Sequence, residues 1–483
     1  MTPPPIRHHG EPASDADRLT AARAEPRGLR TYTPTLAVLA KSAGVFHWTP
    51  EGRRLYDFTS GVLVSNLGHN PVRWARRFAR YLGWPPEGFP GPDESPAAGA
   101  DHPAPAGYFP AVPVTAYNAL TRVETEASRR LVARLQGCPG GGRLEQVMWA
   151  ASGSEAIQKA LWAALARDPA RPMILATRHG FHGKKGLAHA VTGSESDPDR
   201  DPRVRFVRFP TEECRDVARR DDPFDPTPYR LELDALAGQY GRAIGTLITE
   251  PYLGGGGSYH PPKGYLQLLD RFCREHDLVF ILDEVQSNFG RTGKLFAFET
   301  YGVEPDVVVL GKGLGNGVPV AAAVGRADVF GALGYGEASD TWSGNPLSTA
   351  AVLATLDEFE ARDVLGEMAE PSAVIEAGLV GLKRLPFVAH VRGEAGGMVW
   401  GVETRDHAGR PAAEWANALV LECYRGDGGD GIHLLGPLAK KVIRIAPPLT
   451  ITPAEARDAV RLLHRCAARL AGERDPEPAL AGV

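Results

Sequence analysis

Apolar residues along the chain change rhythm near Thr121. Beyond it, short strand-like runs alternate with stretches of helical period. The runs are Gln146 to Ala150, Met173 to Ala176, Arg203 to Phe209, Ile244 to Thr249, Leu278 to Leu282, Val307 to Leu310 and Val320 to Val324. Val307 to Leu310 is wholly apolar and rich in β-branched residues, the mark of a strand covered on both faces. Strands alternating with helices predict a mostly parallel sheet with helices on both sides. In such sheets ligands bind beyond the carboxyl ends of the strands, which is where chemistry is sought below.

The flanking regions read differently. After Pro346 the pattern turns helical over Leu347 to Phe359 and Pro371 to Leu385. It then gives short strands at Val388 to Val391, Met398 to Val402 and Val442 to Ile445, and a last helix from Pro453 to Leu470. Before Thr121, Arg54 to Phe58 reads as a strand, and Ser60 to Pro71 is apolar but punctuated by turn residues. His69 there is read as a turn residue, since no second metal-type side chain stands at ligand spacing. The expected organisation is a flexible tail over 1–28, then residues 29–120 as the N-terminal part of a small domain. A proline- and glycine-rich loop or insertion occupies about 85–113 of that part. A large domain over 121–346 follows, and 347–483 supplies a connecting helix and the rest of the small α+β domain.

Composition narrows the function. With 483 residues, 43% apolar and 23% charged, the chain has the profile of a soluble globular protein of two or three domains. A formal charge of -4 argues against a nucleic-acid binder. No apolar run reaches membrane-spanning length, and the N-terminus lacks the apolar core of a signal peptide. Five dispersed cysteines without a C-x-x-C pair indicate neither a disulfide framework nor a zinc site, and a cytoplasmic setting is expected.

Four segments at strand ends carry chemistry. Gly311-Lys312-Gly313-Leu314-Gly315-Asn316-Gly317 follows the apolar run Val307 to Leu310. An amine on such a loop can have a depressed pKa and attack carbonyls; the alternative is a turn lysine in solvent. Asp283 ends a fully apolar strand, a costly place for a carboxylate without a partner. It suits either the acid that helps hold Mg²⁺ in phosphate-loop ATPases or the anion facing a protonated pyridine nitrogen. The ATPase reading requires a G-x-x-x-x-G-K-[ST] loop, and none is present. Ser152-Gly153-Ser154-Glu155 offers backbone N–H groups at a helix start, suited to a phosphate or simply to an N-cap. Phe181 is a ring that can stack on a planar ligand or fill a core. Together they describe an amine, a carboxylate, an aromatic platform and an anion site.

At this point the sequence resembles the class III (ω-type) pyridoxal-phosphate (PLP)-dependent aminotransferases. The telling segments are Ser152 to Ala156, Phe181-His182-Gly183, Leu282 to Gln286 with Phe289 to Gly293, Gly311 to Gly317, Gly344-Asn345-Pro346 and Arg444 to Leu449. The resemblance implies the PLP-dependent transferase fold type I (aspartate aminotransferase-like), an α/β architecture with a large, mostly parallel-sheet domain and a smaller α+β domain. It implies that Lys312 forms the Schiff base and shuttles a proton, and that Asp283 keeps the ring nitrogen protonated. Phe181 and Val285 would sandwich the ring, Gln286 would meet its 3-hydroxyl, and Ser152, Gly153 and Ser154 would hold the phosphate. Glu250 matches a supporting glutamate. Thr341 matches a threonine that reaches the neighbouring subunit's phosphate, implying a homodimer with sites at the interface. Arg444, otherwise an exposed position on an alternating strand, matches an arginine that clamps a substrate carboxylate, and Val62 falls on the substrate side.

The implied activity is transfer of an amino group from a primary amine or ω-amino acid donor to a 2-oxo acid acceptor by a ping-pong Schiff-base mechanism. Epimerase, aminomutase or decarboxylase chemistry on the same cofactor is the alternative, and a nucleotide-binding protein a remoter one. One departure stands out. Many members carry a glutamate in the turn after Glu250-Pro251 that pairs with the arginine; here the turn reads Gly254-Gly255-Gly256-Gly257.

Overall fold

The computed structural model describes residues 6–26, 31–91, 93–94, 104–117, 119–198 and 200–472. A seven-stranded sheet dominates it, in the spatial order Gln146–Ala150, Ala321–Gly325, Val307–Leu310, Val279–Asp283, Ile244–Thr249, Met173–Thr177, Val204–Val207. The last five of these pair in parallel. Ala321–Gly325 runs antiparallel to both of its neighbours, one residue later than the apolar run predicts. Every residue of Ile244–Thr249, Val279–Asp283 and Val307–Leu310 is buried, as expected of strands covered on both faces. On one face Ala156, Ala160 and Ala163 of the helix Gly153–Arg167 pack with Ile248, Ile281 and Val309, small side chains that let the helix lie close.

Two smaller sheets complete the molecule. Lys41–Ala43, Phe46–Trp48 and Arg54–Asp57 form an antiparallel meander, and Gly431–His433 joins its edge in parallel with Arg54–Asp57. Val388–Gly393, Trp400–Thr404 and Val442–Ile445 form an antiparallel sheet. The middle strand begins later than the expected Met398, because Met398 N is drawn to Arg291 O at 2.9 Å. Arg291 itself is fully buried and acts as a clasp. Its guanidinium donates to Asn66 Oδ1 (2.6 and 2.9 Å), Met398 O (3.1 Å) and Pro447 O (2.6 Å), joining three distant parts of the chain.

The N-terminal tail requires a correction. Residues Pro12–Ala24 form a docked helix, not a flexible segment. Its anchor is Arg18, only 2% exposed, which donates to Glu11 Oε2 (2.7 Å), Asp15 Oδ1 (2.6 Å), Leu36 O (3.0 Å) and the Tyr424 hydroxyl (3.1 Å). A polar helix held by ion pairs leaves no hydrophobic pattern to read. Within the insertion, the described parts of 85–113 contain no helix or strand, and 92 and 95–103 lie outside the described residues. Phe89 packs there between Trp84 and Phe109, with ring centroids 6.1 and 5.2 Å apart.

Removing Arg18 takes from buried Glu11 one of two guanidinium partners, leaving Arg53 Nη2 at 2.7 Å and the Tyr424 hydroxyl at 2.9 Å. Arg18→Ala is expected to cost about 2 kcal/mol, less than an uncompensated buried charge would, because Arg53 remains. The readout is a lower denaturant midpoint, with the N-terminal segment newly open to protease.

Candidate active site

Val279–Asp283 and Val307–Leu310 are parallel neighbours, with Asp283 opposite Val309. Their carboxyl ends therefore open at one edge, and Asp283 and Lys312 meet there. Both line a single cavity of 370 Å³ with Ser152, Gly153, Ser154, Phe181, Glu250, Val285 and Gln286. Asp283 is 5% exposed. Its Oδ2 lies 2.7 Å from His182 Nδ1, and its Oδ1 accepts from Val285 N at 3.0 Å. The carboxylate is thus fixed by a buried imidazole and by its own turn.

Lys312 has a φ of +50°, unusual for a residue with a side chain, and Gly311 and Gly313 flank it. No hydrogen bond or ion pair holds its amine among the described residues. Burial, then the Arg444 charge, push it down to about 8. At such a value an appreciable neutral fraction is present near neutrality.

The helix Gly153–Arg167 aims its N-terminus at the same cavity. Ser152 and Glu155 form a capping box: Ser152 Oγ accepts from Glu155 N, and Glu155 Oε2 accepts from Ser152 N at 3.1 Å and Ala151 N at 3.0 Å. The first intrahelical bond is Ala156 N to Ser152 O. Gly153 N and Ser154 N precede it and are left for an anion, at the positive end of the helix. The two sequence readings of this segment, cap and anion site, hold together. A Cβ at Gly153 would come within 3.1 Å of Val285 Cγ1, so glycine is what lets the helix start approach Val285.

Phe181 is 40% exposed, and it lines the cavity. Glu250 fixes its backbone: Oε2 accepts from Phe181 N at 2.8 Å and Oε1 from Gly254 N at 3.1 Å. Burial pushes Glu250 up to about 7. Arg444 is 4% exposed and donates from Nη1 to Oε1 of the lining residue Gln286 at 2.9 Å. Its Nε has no partner, and no carboxylate pairs with it among the described residues. The exposed-strand reading of Arg444 is therefore corrected: this is a buried cation facing an amide.

Of the residues singled out from sequence, the fold brings Lys312, Asp283, Ser152, Gly153, Ser154, Phe181, Val285, Gln286 and Glu250 to one cavity, with Arg444 attached through Gln286. Besides Arg444, Val62 and Thr341 also fall outside its lining. Val62 lies in a left-handed turn with φ +68°, and Val64 takes the place at the wall. Thr341 is exposed, on a loop tied down by the Lys159–Asp340 ion pair at 2.7 Å. Sequence reasoning missed His182, although it stands beside Phe181 in the quoted segment. It also missed Asn288, whose Nδ2 donates to Glu284 O and to Gly311 O (3.1 Å), steadying the lysine loop.

Comparison with known proteins decides the family. The profile of the family described as "Aminotransferase class-III" matches residues 111–467. The chain belongs to the class III aminotransferases. It is 29% identical over 442 residues to an acetylornithine aminotransferase of Agrobacterium fabrum, covering 90% of this chain and 94% of that one. It is 26% identical to a probable 4-aminobutyrate aminotransferase of Bacillus subtilis, covering 91% and 94%. A crystal structure of an amine transaminase from an uncultivated Pseudomonas species, in its PLP-bound form, superposes with a TM-score of 0.72 at 25% identity, covering 97% and 98% of the two chains. The fold is that of PLP-dependent transferases of fold type I, and this aminotransferase works with pyridoxal phosphate.

The cavity fits that cofactor on its own evidence. It offers an unpaired amine, a buried carboxylate, a ring beside a small aliphatic side chain and free N–H groups at a helix start. Because only a neutral amine attacks an aldehyde, cofactor uptake by the apoprotein is expected to rise with pH and reach half its maximum near pH 8, following Lys312. An unperturbed lysine would place that midpoint near 10.5. Stopped-flow absorbance across a pH series reads the difference.

Proposed function

We propose that this aminotransferase moves an amino group from a primary amine or ω-amino acid to a 2-oxo acid, with Lys312 as its catalytic amine and Asp283 as the anion that sets the cofactor's electronics. The observation that carries the assignment is the opening of both groups into one cavity at adjacent carboxyl strand ends. When bound, the cofactor supplies a cationic pyridine ring that withdraws electrons from the amino-bearing carbon.

The protein's part is positioning and proton traffic. Asp283, locked by His182 Nδ1 and Val285 N, holds the proton of the ring nitrogen. Gly153 N and Ser154 N, with Ser152 at the cap, bind the phosphate dianion. Phe181 and Val285 would hold the ring, and Glu250 holds the Phe181 backbone in place. Gln286, which lines the cavity, would offer its amide to the ring hydroxyl. Lys312 Nζ, lowered to about 8 and so partly neutral near neutrality, takes the proton from the donor carbon and, as ammonium, returns one. Arg444, a buried cation without a carboxylate partner, receives the carboxylate of a substrate. Val62 belongs to the turn leading to the wall residue Val64, and acts on substrate fit through it.

The assembly inferred is a homodimer in which Thr341 reaches the neighbouring subunit's phosphate site. Thr341 is exposed beside Trp342, itself 64% exposed, as a residue awaiting a second chain would be. A cytoplasmic setting agrees with five cysteines that are all free and buried. No described helix is long and apolar enough to cross a membrane. The epimerase, aminomutase, decarboxylase and nucleotide-binding readings gain nothing from the relatives named above, which are aminotransferases.

Two substitutions test the assignment. Lys312→Ala is expected to lower transamination by about 10²–10⁴-fold, the worth of a positioned acid–base group. Borohydride reduction and digestion of the wild type should place the cofactor on the Lys312 peptide, and a label on another lysine overturns the proposal. Arg444→Leu is expected to reduce kcat/KM about 10–100-fold for carboxylate-bearing donors, the worth of a charge-assisted pair, and to spare simple amines. An equal loss for both donor classes removes Arg444 from substrate recognition.

A further inference from the structure

Away from the cavity, the end of the strand Arg54–Asp57 gathers a second set of polar groups. Asp57 is fully buried. Its Oδ1 accepts from Thr59 N (2.8 Å), Thr59 Oγ1 (2.7 Å) and Ser60 N (3.1 Å). Its Oδ2 faces two imidazoles, with His69 Nε2 at 2.7 Å and His47 Nε2 at 3.5 Å. His47 is held from its far side, where Nδ1 lies 2.7 Å from Ser42 Oγ. His433 pairs with Asp57 on the neighbouring strand and stands edge-on to His47, ring centroids 5.5 Å apart. Its Nδ1 is buried without a partner among the described residues.

We propose that His47 Nε2, His69 Nε2 and Asp57 Oδ2 form a structural site for one divalent transition-metal ion of the Zn²⁺ kind. The three donor atoms lie within 4.8 Å of one another. Around an ion bonded at about 2.0–2.2 Å, tetrahedral donors stand roughly 3.3–3.6 Å apart. The His47–Asp57 pair already stands at 3.5 Å, and the His69–Asp57 contact of 2.7 Å needs only a slight opening. Nitrogen donors favour such an ion over Mg²⁺ or Ca²⁺, which prefer oxygen cages. The Ser42 contact aims His47, the kind of outer support that metal-binding imidazoles use. His69 keeps 16% of its side chain exposed, which gives the ion a way in.

The role follows from what Asp57 also holds. Its Oδ1 contacts start the left-handed turn Ser60–Leu63, where φ runs from +48° to +68°. Val64, next along, lines the cofactor cavity. An ion on Oδ2 would brace that turn and hence the cavity wall.

The test uses the full-length, cofactor-loaded enzyme, stripped with a chelator and titrated with Co²⁺. The expected result is one saturable equivalent with visible d–d bands of tetrahedral intensity, displaced by Zn²⁺. Ser42→Ala, a mild change, is expected to weaken Zn²⁺ about tenfold. His47→Ala is expected to abolish the bands. Crystals soaked in Zn²⁺ should show an anomalous peak between the three donors, a readout that stands even where His47→Ala fails to fold. Absence of saturable binding, binding indifferent to Ser42→Ala and His47→Ala, or a peak elsewhere overturns the proposal.

Discussion

A carboxylate at the end of a fully buried strand is the constraint on which the catalytic half of the molecule turns. Asp283 follows four apolar residues and keeps 5% of its surface. An ion in that position without a counter-group costs several kcal/mol even after the protein relaxes. His182 supplies the counter-group, which forces the loop carrying it to fold inward. Thr192 Oγ1 secures that loop by accepting from His182 N (2.8 Å) and Gly183 N (3.2 Å). Gly183 is required for the closure: its φ is +149°, and a Cβ there would come within 2.5 Å of Ser154 Oγ. The buried acid thereby sets the position of Phe181 and the spacing between the aromatic platform and the helix start.

The charges around the cavity then tune one another. Lys312 is half-buried and Arg444 is a buried cation, and the Arg444 charge lowers Lys312. If a substrate carboxylate binds Arg444 as proposed above, it would offset part of that influence and so link substrate binding to the basicity of the amine. Glu284 is kept out of this traffic. Burial pushes it up to about 8, and its oxygens accept from Ala297 N (2.7 Å) and Phe298 N (2.8 Å). Adjacent carboxyl groups, Asp283 and Glu284, therefore serve different ends: one faces the ligand and the other holds a helix start.

How far the sequence speaks depends on how each part is held. The central strands were legible because burial on both faces leaves continuous apolar runs, and Lys312 and Asp283 were legible because a charge beside such a run needs a reason. The reversed direction of Ala321–Gly325 was not, since an apolar run carries no sense of direction. The helix Pro12–Ala24 was invisible because Arg18 and Glu11 hold it, not apolar contacts. His69 was read as a turn residue because only the meander and its following turn bring His47 and Asp57 beside it. Val62 and Val64 differ by two positions, and a run of left-handed φ values decides which one reaches the cavity. Local alternation cannot foresee that.

The glycine turn bears on substrate choice in a way that its spelling alone does not reveal. A Cβ at Gly254 would sit 2.3 Å from Gln286 Oε1, one at Gly255 3.0 Å from Phe181 Cβ, and one at Gly256 2.8 Å from His179 O. The turn is thus packed against the groups that frame the cavity, and a glutamate cannot be restored at these three positions without moving them. The arginine that such a glutamate would cover is instead met by Gln286, a neutral acceptor. A carboxylate competes with an amide for a buried guanidinium on favourable terms, whereas it competes poorly with another carboxylate. Arg444 is therefore held in place by a neutral partner, and in the function proposed above the discrimination between carboxylate-bearing and simple amine donors would pass to how readily Gln286 yields.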